Sequence, residues 1–377
     1  MTNLTEQKLN FVKELLSWFR ENKRDLPWRK NKNPYHIWIS EIMLQQTRVD
    51  TVIPYFENFI DKFPTIEALA NAPEEDVLKA WEGLGYYSRA RNLHSAVKEV
   101  KASYGSVVPD NPKDISSLKG VGPYTAGAVL SIAYDKPEPA VDGNVMRVLS
   151  RYFLIEEDIT KVSTRTAMEK IIREIIPSDA ASDFNQGLME LGALVCTPKS
   201  PKCTTCPVME HCDARLQGKE EALPIKKKAK PPKLEQRLVA FIEGTGTNEG
   251  KILIRQRPGK GLLAGMWELP HYLTENPLKD WMGSEELNED FVIDQYALET
   301  GTELGSGQWM LDINHVFSHI LWDMKVYQFT ESHSLIEKEA IQLSSEYRYA
   351  WISLDEVDEY VFPNVFLRIF KEVKRTK

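Results

Sequence analysis

The sequence predicts a multidomain protein: an all-α domain with a cysteine-rich metal loop, then a smaller α+β domain. Three observations predict it. Up to about residue 217 apolar residues recur at helical spacing and strand-like alternation is scarce. A stretch of five lysines and two prolines follows, Ile225–Lys233. Beyond it, short alternating runs and glycine-rich turns take over. A length of 377 residues suits two or more domains, and 42% hydrophobic with 27% charged residues suits a folded chain. Collagen, disorder and small disulfide scaffolds are excluded. The expected domains are 1–217 and 234–377, with a basic linker over 218–233.

Leu9, Val12, Leu16 and Phe19 recur at spacings of 3 and 4 and predict an amphipathic helix. Similar stretches cover about 35–48, 50–60, 74–80, 87–103, 123–134, 143–153, 163–175 and 183–195. Short turns such as Phe63-Pro64 and Gly83-Leu84-Gly85 separate them. The Lys/Pro stretch makes a poor helix and a poor strand, so an extended connector is expected. Arg237–Glu243 and Lys251–Arg257 predict two strands around the turn 244–250. His315–Phe329 supplies further strands, and Leu354–Lys374 is helical with an interruption near Pro363.

Net charge is −8, unevenly divided: residues 1–233 hold 33 Lys+Arg against 31 Asp+Glu, and residues 234–377 hold 14 against 24. Binding to nucleic acid needs local positive charge rather than a positive total, so the total decides little. No apolar run reaches the roughly 18–20 residues that span a bilayer. The first six residues lack a basic segment followed by an apolar one. The expected location is the cytoplasm, with no membrane partner.

All four cysteines, Cys196, Cys203, Cys206 and Cys212, lie within 17 residues, with gaps of 6, 2 and 5. Such clustering favours a metal site over disulfides. Spacing alone leaves Zn²⁺ and a [4Fe–4S] cluster both open.

Leu118–Val129 joins two helical patterns through Gly120-Val121-Gly122-Pro123. The two glycines permit a tight turn, and Pro123 suits the first turn of the next helix. Exposed N–H groups there can hold a phosphate, which is the helix-hairpin-helix signature. Twenty residues past Gly122 stands Asp142, a good N-cap for the helix that follows. Capped aspartates are expected to stay ionised, which suits a residue that stabilises a nearby cation.

The stretch Ile37–Thr47 is apolar nearly all round, yet it carries Glu41 on the face of Ile37, Trp38 and Leu44. Desolvation there raises a carboxyl pKa, and a protonated glutamate is a general acid. The alternative is a structural glutamate paired with a buried arginine.

Taken together, these motifs resemble the endonuclease III superfamily of DNA glycosylases, and most closely its MutY-type adenine glycosylases, across essentially the whole chain. The hairpin, Asp142 and the 6-2-5 cysteine loop indicate the superfamily, and its loop implies a [4Fe–4S] cluster. Glu41 within Ser40-Glu41-Ile42-Met43-Leu44-Gln45-Gln46-Thr47 resembles the acid helix of the adenine branch. Tyr124 stands where bifunctional relatives place a Schiff-base lysine. Phe317-Ser318-His319 resembles the loop that reads 8-oxoguanine. The second domain resembles a Nudix fold in Leu263–Pro270, but Asp290–Gly301 departs from the Arg-Glu-x-x-Glu-Glu pattern that collects Mg²⁺. Nucleotide hydrolysis is therefore not expected of it.

The resemblance implies double-stranded DNA with A:8-oxoguanine or A:G mispairs as partner, and a monomer of bacterial, nucleoid-associated type. Glu41 would protonate adenine and Asp142 would stabilise the sugar cation, with Tyr124 and Asn144 orienting Asp142 or the sugar. Arg24, Leu26, Trp28 and Arg29 would line the adenine pocket. Leu44, Gln46 and Thr47 would meet the lesion side, and Tyr86 would wedge into the stack. Simple core packing is the alternative for Tyr86 and more so for Trp28. A bifunctional glycosylase/lyase and a non-catalytic damage-binding protein are the competing readings. The first lacks a hairpin lysine, and the second leaves Glu41 unexplained.

Overall fold

A computed structural model describes residues 4–228, 230–274, 285–331 and 347–376. The chain divides into two compact units, Met1–Lys228 and Ala229–Lys377. The division falls inside the segment expected to be a linker. Its first part is packed on the first unit: Leu223 is buried, its carbonyl accepts from Arg151 Nε at 2.9 Å, and Ile225 O accepts from Ile159 N at 3.0 Å.

The first unit is helical: α1 Leu4–Asn22, α2 Pro34–Leu44, α3 Val49–Lys62, α4 Ile66–Asn71, α5 Glu74–Ala80, α6 Ser88–Ser103, α7 Pro112–Ser117, α8 Pro123–Tyr134, α9 Gly143–Tyr152, α10 Val162–Ile175, α11 Ala181–Leu194 and α12 Asp213–Leu216. Helix α1 buries Phe11, Leu15 and Phe19, and the first two join a cluster with Val145, Leu149, Phe184 and Leu188 of α9 and α11. Of the expected face, Phe19 is buried and Val12 and Leu16 pack on the core. Leu9 is 67% exposed, because it lies about 200° around the helix from Phe11.

Helix α2 starts on Asn33, whose side chain accepts from Tyr35 N, with Pro34 in its first turn. It buries Tyr35 and every residue from Ile37 to Met43, packing on α3 and α8. It stops at Leu44 rather than near 48, and Gln46 turns away with φ +58°. Between α7 and α8, Gly120 holds φ +80°, and a Cβ there would lie 2.7 Å from Asn92 Cβ. No helix among the described residues is long and apolar enough to cross a membrane.

The second unit is a mixed sheet with two helices. Its strands are β1 Lys233–Glu243, β2 Lys251–Gln256, β3 Trp267–Glu268, β4 His271–Leu273, β5 Gln308–Val316, β6 Ile320–Thr330 and β7 Arg348–Ser353; the helices are α13 Glu285–Thr300 and α14 Asn364–Thr376. Strands β1 and β2 flank the expected turn and are antiparallel neighbours in the sheet, paired at Glu243↔Ile252. On its other side β1 runs parallel to β6 from Lys233↔Ile320 to Glu243↔Thr330, and β2 also pairs with β7. The side chains of β1 explain this. Val239 and Phe241 enter the cluster under α14, while Leu238, Ala240 and Ile242 enter the one with Val292 and Tyr296 of α13. A strand buried on both faces belongs in the middle of a sheet.

Candidate active site

Glu41 and Asp142 line one cleft of about 600 Å³ in the first unit. Arg24, Leu26, Trp28, Arg29, Leu44, Gln46, Thr47, Gly120, Gly122, Tyr124 and Asn144 line it too. The volume suits a small ligand. Helices α2, α8 and α9, the short turn Pro27–Arg29, and the segments that lead into or out of these elements supply these groups. Trp28 is buried and meets Phe56 edge to face at 5.5 Å, so it both packs and lines the cleft. Tyr86 is not part of this lining; it is 46% exposed, with φ +50°. Its neighbour Tyr87 is buried.

Burial dominates at Glu41, which is 4% exposed. It pushes the carboxyl up to about 7; the Tyr124 hydrogen bond and Arg29 pull down, and Asp142 adds to the rise. Tyr124 Oη donates to Glu41 Oε2 at 2.5 Å. Tyr124 therefore orients Glu41, where the sequence suggested Asp142 or the sugar. A buried glutamate held by arginines does exist in the cleft, but it is Glu190. It accepts from Arg24 Nε at 2.8 Å and from Arg29 Nη2 at 3.0 Å. Burial works against its ionisation, yet the two guanidiniums outweigh that and bring it down to about 2. The pocket arginines thus hold Glu190 and leave Glu41 to Tyr124.

Asp142 caps α9, accepting from Val145 N at 2.7 Å through Oδ1 and from Asn144 Nδ2 at 2.9 Å through Oδ2. The cap does not settle its charge as the sequence suggested. Burial raises its pKa, and the N–H donors and Arg147 offset this without reversing it. Asn144 Oδ1 accepts from Arg147 Nη2 at 2.8 Å, and Arg147 Nε donates to Cys196 O at 2.7 Å. A Cβ on Gly192 would lie 2.6 Å from Asn144 Cβ, so a glycine there lets α11 approach the Asp142 support.

Cys196, Cys203, Cys206 and Cys212 surround a second cavity of the first unit and are free of disulfides. Arg151 Nη1 lies 3.3 Å from Cys196 Sγ. Four free thiols facing one cavity fit a thiolate-bound metal centre. In the second unit, Phe317, Ser318 and His319 form the tight β5–β6 turn, closed by Phe317 N donating to Ile320 O at 2.7 Å. Phe317 is half-buried against His315 and Trp322, while Ser318 and His319 are exposed, with Ser318 Oγ 3.1 Å from His319 Nδ1. Glu299, in the segment that departs from the Nudix pattern, accepts from Arg255 Nη1 at 2.7 Å and from Tyr349 Oη.

Sequence reasoning did not single out Glu190, Arg147 or Arg89. Their roles depend on partners far along the chain. The cue that existed was Glu190 in Gly187–Leu194, the apolar second half of α11, similar to the cue that marked Glu41.

Residues 39–174 match the HhH-GPD superfamily of base excision DNA repair proteins, 196–212 the iron–sulfur binding domain of endonuclease III, and 245–372 the NUDIX domain. Adenine DNA glycosylase of Rattus norvegicus is 36% identical over 365 residues, covering 84% of this chain and 70% of its own. That of Schizosaccharomyces pombe is 31% identical over 431 aligned residues, covering 97% and 90%. A solved thermostable thymine-DNA glycosylase superposes with a TM-score of 0.52 at 31% identity, over 57% of this chain and 99% of its own. Endonuclease III in a non-covalent DNA complex, at TM-score 0.50 and 24% identity over 58% of this chain and 99% of its own, shares the fold. Residues 196–212, which contain all four cysteines, carry a [4Fe–4S] cluster. Purified protein is expected to be brown with about four irons per chain. Cys203→Ser should lose iron and melt earlier, as read by metal analysis and thermal unfolding. The chain belongs to the adenine DNA glycosylases, monofunctional base-excision enzymes of the helix-hairpin-helix superfamily that act on DNA.

Proposed function

We propose that this glycosylase removes adenine mispaired with 8-oxoguanine or guanine in duplex DNA and leaves an abasic site. The observation that carries the chemistry is the pairing of Glu41, near 7 and held by Tyr124, with Asp142 in the same cleft. The adenine leaves the stack, at a cost of a few kcal/mol that is lower for a mispair. Tyr86 fills the gap, and the base enters the cleft past Arg24, Leu26, Trp28 and Arg29. Glu41 gives its proton to adenine N7, so the base departs as the neutral species when the glycosidic bond breaks.

The sugar then carries positive charge. Asp142 is costly as a buried anion beforehand and becomes favourable as the cation develops, which places its effect in the transition state. Asn144 fixes the Asp142 oxygen at 2.9 Å. Water adds its oxygen to C1′ and gives its proton to the Glu41 carboxylate, which restores the acid. Tyr124 has no amine, so no Schiff base forms there. Leu44, Gln46 and Thr47 face the opposite base, and Gly120 and Gly122 offer backbone N–H groups to a phosphate.

Discrimination rests on the second unit. 8-Oxoguanine presents an N7–H donor where guanine presents an acceptor. Ser318 and His319 stand exposed on a tight turn and can accept or donate there, while Phe317 anchors the turn. Ser318→Ala with His319→Ala should lower the preference for A:8-oxoguanine over A:G by roughly 5- to 150-fold, from about 1–3 kcal/mol per unpaired partner. Single-turnover release from saturated substrate should persist. An unchanged preference ratio in the folded double variant removes this turn from recognition.

A further inference from the structure

Arg89 is a half-buried cation whose partners are carbonyl oxygens and a hydroxyl rather than a carboxylate. Nη1 donates to Ile42 O at 2.8 Å, Met43 O at 3.0 Å and Gln45 O at 2.6 Å. These are the orphan acceptors at the end of α2, where the negative end of the helix dipole lies. Nη2 donates to Gly85 O at 3.1 Å and approaches Thr47 Oγ1 at 3.4 Å. The guanidinium lies over the rings of Trp81 and Tyr86, at 5.5 and 5.4 Å from their centres.

One planar group therefore holds three segments. The first is the last turn of α2, beginning one residue after Glu41. The second is the turn with Gln46 and Thr47. The third is the loop that presents Tyr86. Gln46 and Tyr86 both hold positive φ, +58° and +50°, which is uncommon for residues with side chains. The guanidinium bonds the carbonyl just before each of them, Gln45 O and Gly85 O. A lysine could not do so, because a point charge cannot span two sets of acceptors on opposite edges of a plane.

We propose that Arg89 is a positioning residue that couples insertion of Tyr86 into the base stack to placement of Glu41. It acts through one guanidinium that grips the end of the Glu41 helix and the Tyr86 loop together. This rests on the reading of Tyr86 as the wedge. A Tyr86 loop pressed by DNA then pulls on Gly85 and, through Arg89, on the carbonyls beside Glu41. An adenine that has not been replaced in the stack meets a poorly set acid.

The test uses the full-length protein with its cluster, and a mispaired duplex carrying fluorescent 2-aminopurine beside the target adenine. Tyr86→Ala, Arg89→Lys and the double variant are compared. Each single change should slow single-turnover release by roughly ten- to a hundredfold and weaken the unstacking fluorescence. The double variant should be no slower than the slower single, within about twofold, because both cut the same link. Multiplying rate losses, or normal unstacking in Arg89→Lys, overturns the proposal. Normal unstacking in Tyr86→Ala overturns the wedge reading instead. A second measurement leaves Arg89 in place: lesion DNA should slow amide exchange at residues 45–47 in the parent and much less in Tyr86→Ala. Equal slowing overturns the coupling even if Arg89→Lys fails to fold.

Discussion

Glu41→Gln is expected to abolish adenine release, with a loss of about 10²–10⁴-fold for a general acid, while affinity for mispaired duplex stays near the parent's. The amide keeps the shape and can still accept from Tyr124, but it cannot deliver an acidic proton. In the parent, the single-turnover rate should fall as pH rises through about 7, where Glu41 loses its proton. The same substitution should stabilise the fold at high pH. The folded pKa, about 7, lies above the ordinary 4.5, so the contribution of Glu41 is whole below about 4.5 and is lost as pH rises through 7. The loss is on the order of 3 kcal/mol. Melts at pH 8 should therefore favour Glu41→Gln, and the gap should close near pH 4. Parental turnover in the variant, or no gap at pH 8, contradicts the assignment.

Asp142→Asn should lower release by about 10²–10³-fold, the scale for removing one electrostatic stabiliser of a transition state. Its stability cost should exceed that of a plain cap exchange. The introduced amide has one oxygen, which the Val145 N–H takes, so its NH₂ faces the Asn144 NH₂. Asn144 cannot turn over to help, because Arg147 holds its oxygen at 2.8 Å. One donor is left facing another, at about 1–2 kcal/mol. Single-turnover rates and thermal melts read the two effects separately. A parental rate would remove Asp142 from the chemistry, and a neutral melt would mean that the Asn144–Arg147 hydrogen bonds relax freely.

The groups proposed to carry chemistry were legible wherever the residue type was out of place locally. A carboxylate among apolar neighbours marked Glu41, a Gly-x-Gly-Pro between helices marked the hairpin, and four clustered cysteines marked the cofactor loop. Local pattern could not report what comes from elsewhere in the chain. Nothing beside Asp142 shows that burial outweighs its cap. Nothing beside Arg24 and Arg29 shows that both turn to Glu190, more than 160 positions away. The exposure of Leu9 on α1 was hidden for the same reason: periodicity shows that a face is apolar, and the partner decides how far it is covered. The end of α2 at Leu44 was hidden because Arg89, which caps it, lies in another helix.

The central claim is that the acid pair acts on adenine and that the opposite base decides which adenine. Adenine release under single turnover should therefore be measured side by side from A:8-oxoguanine, A:G, A:T and C:8-oxoguanine duplexes. Release should be fastest from A:8-oxoguanine, slower from A:G and negligible from A:T, with no base freed from C:8-oxoguanine. Equal rates on A:T and A:8-oxoguanine, or loss of a base from C:8-oxoguanine, would contradict it.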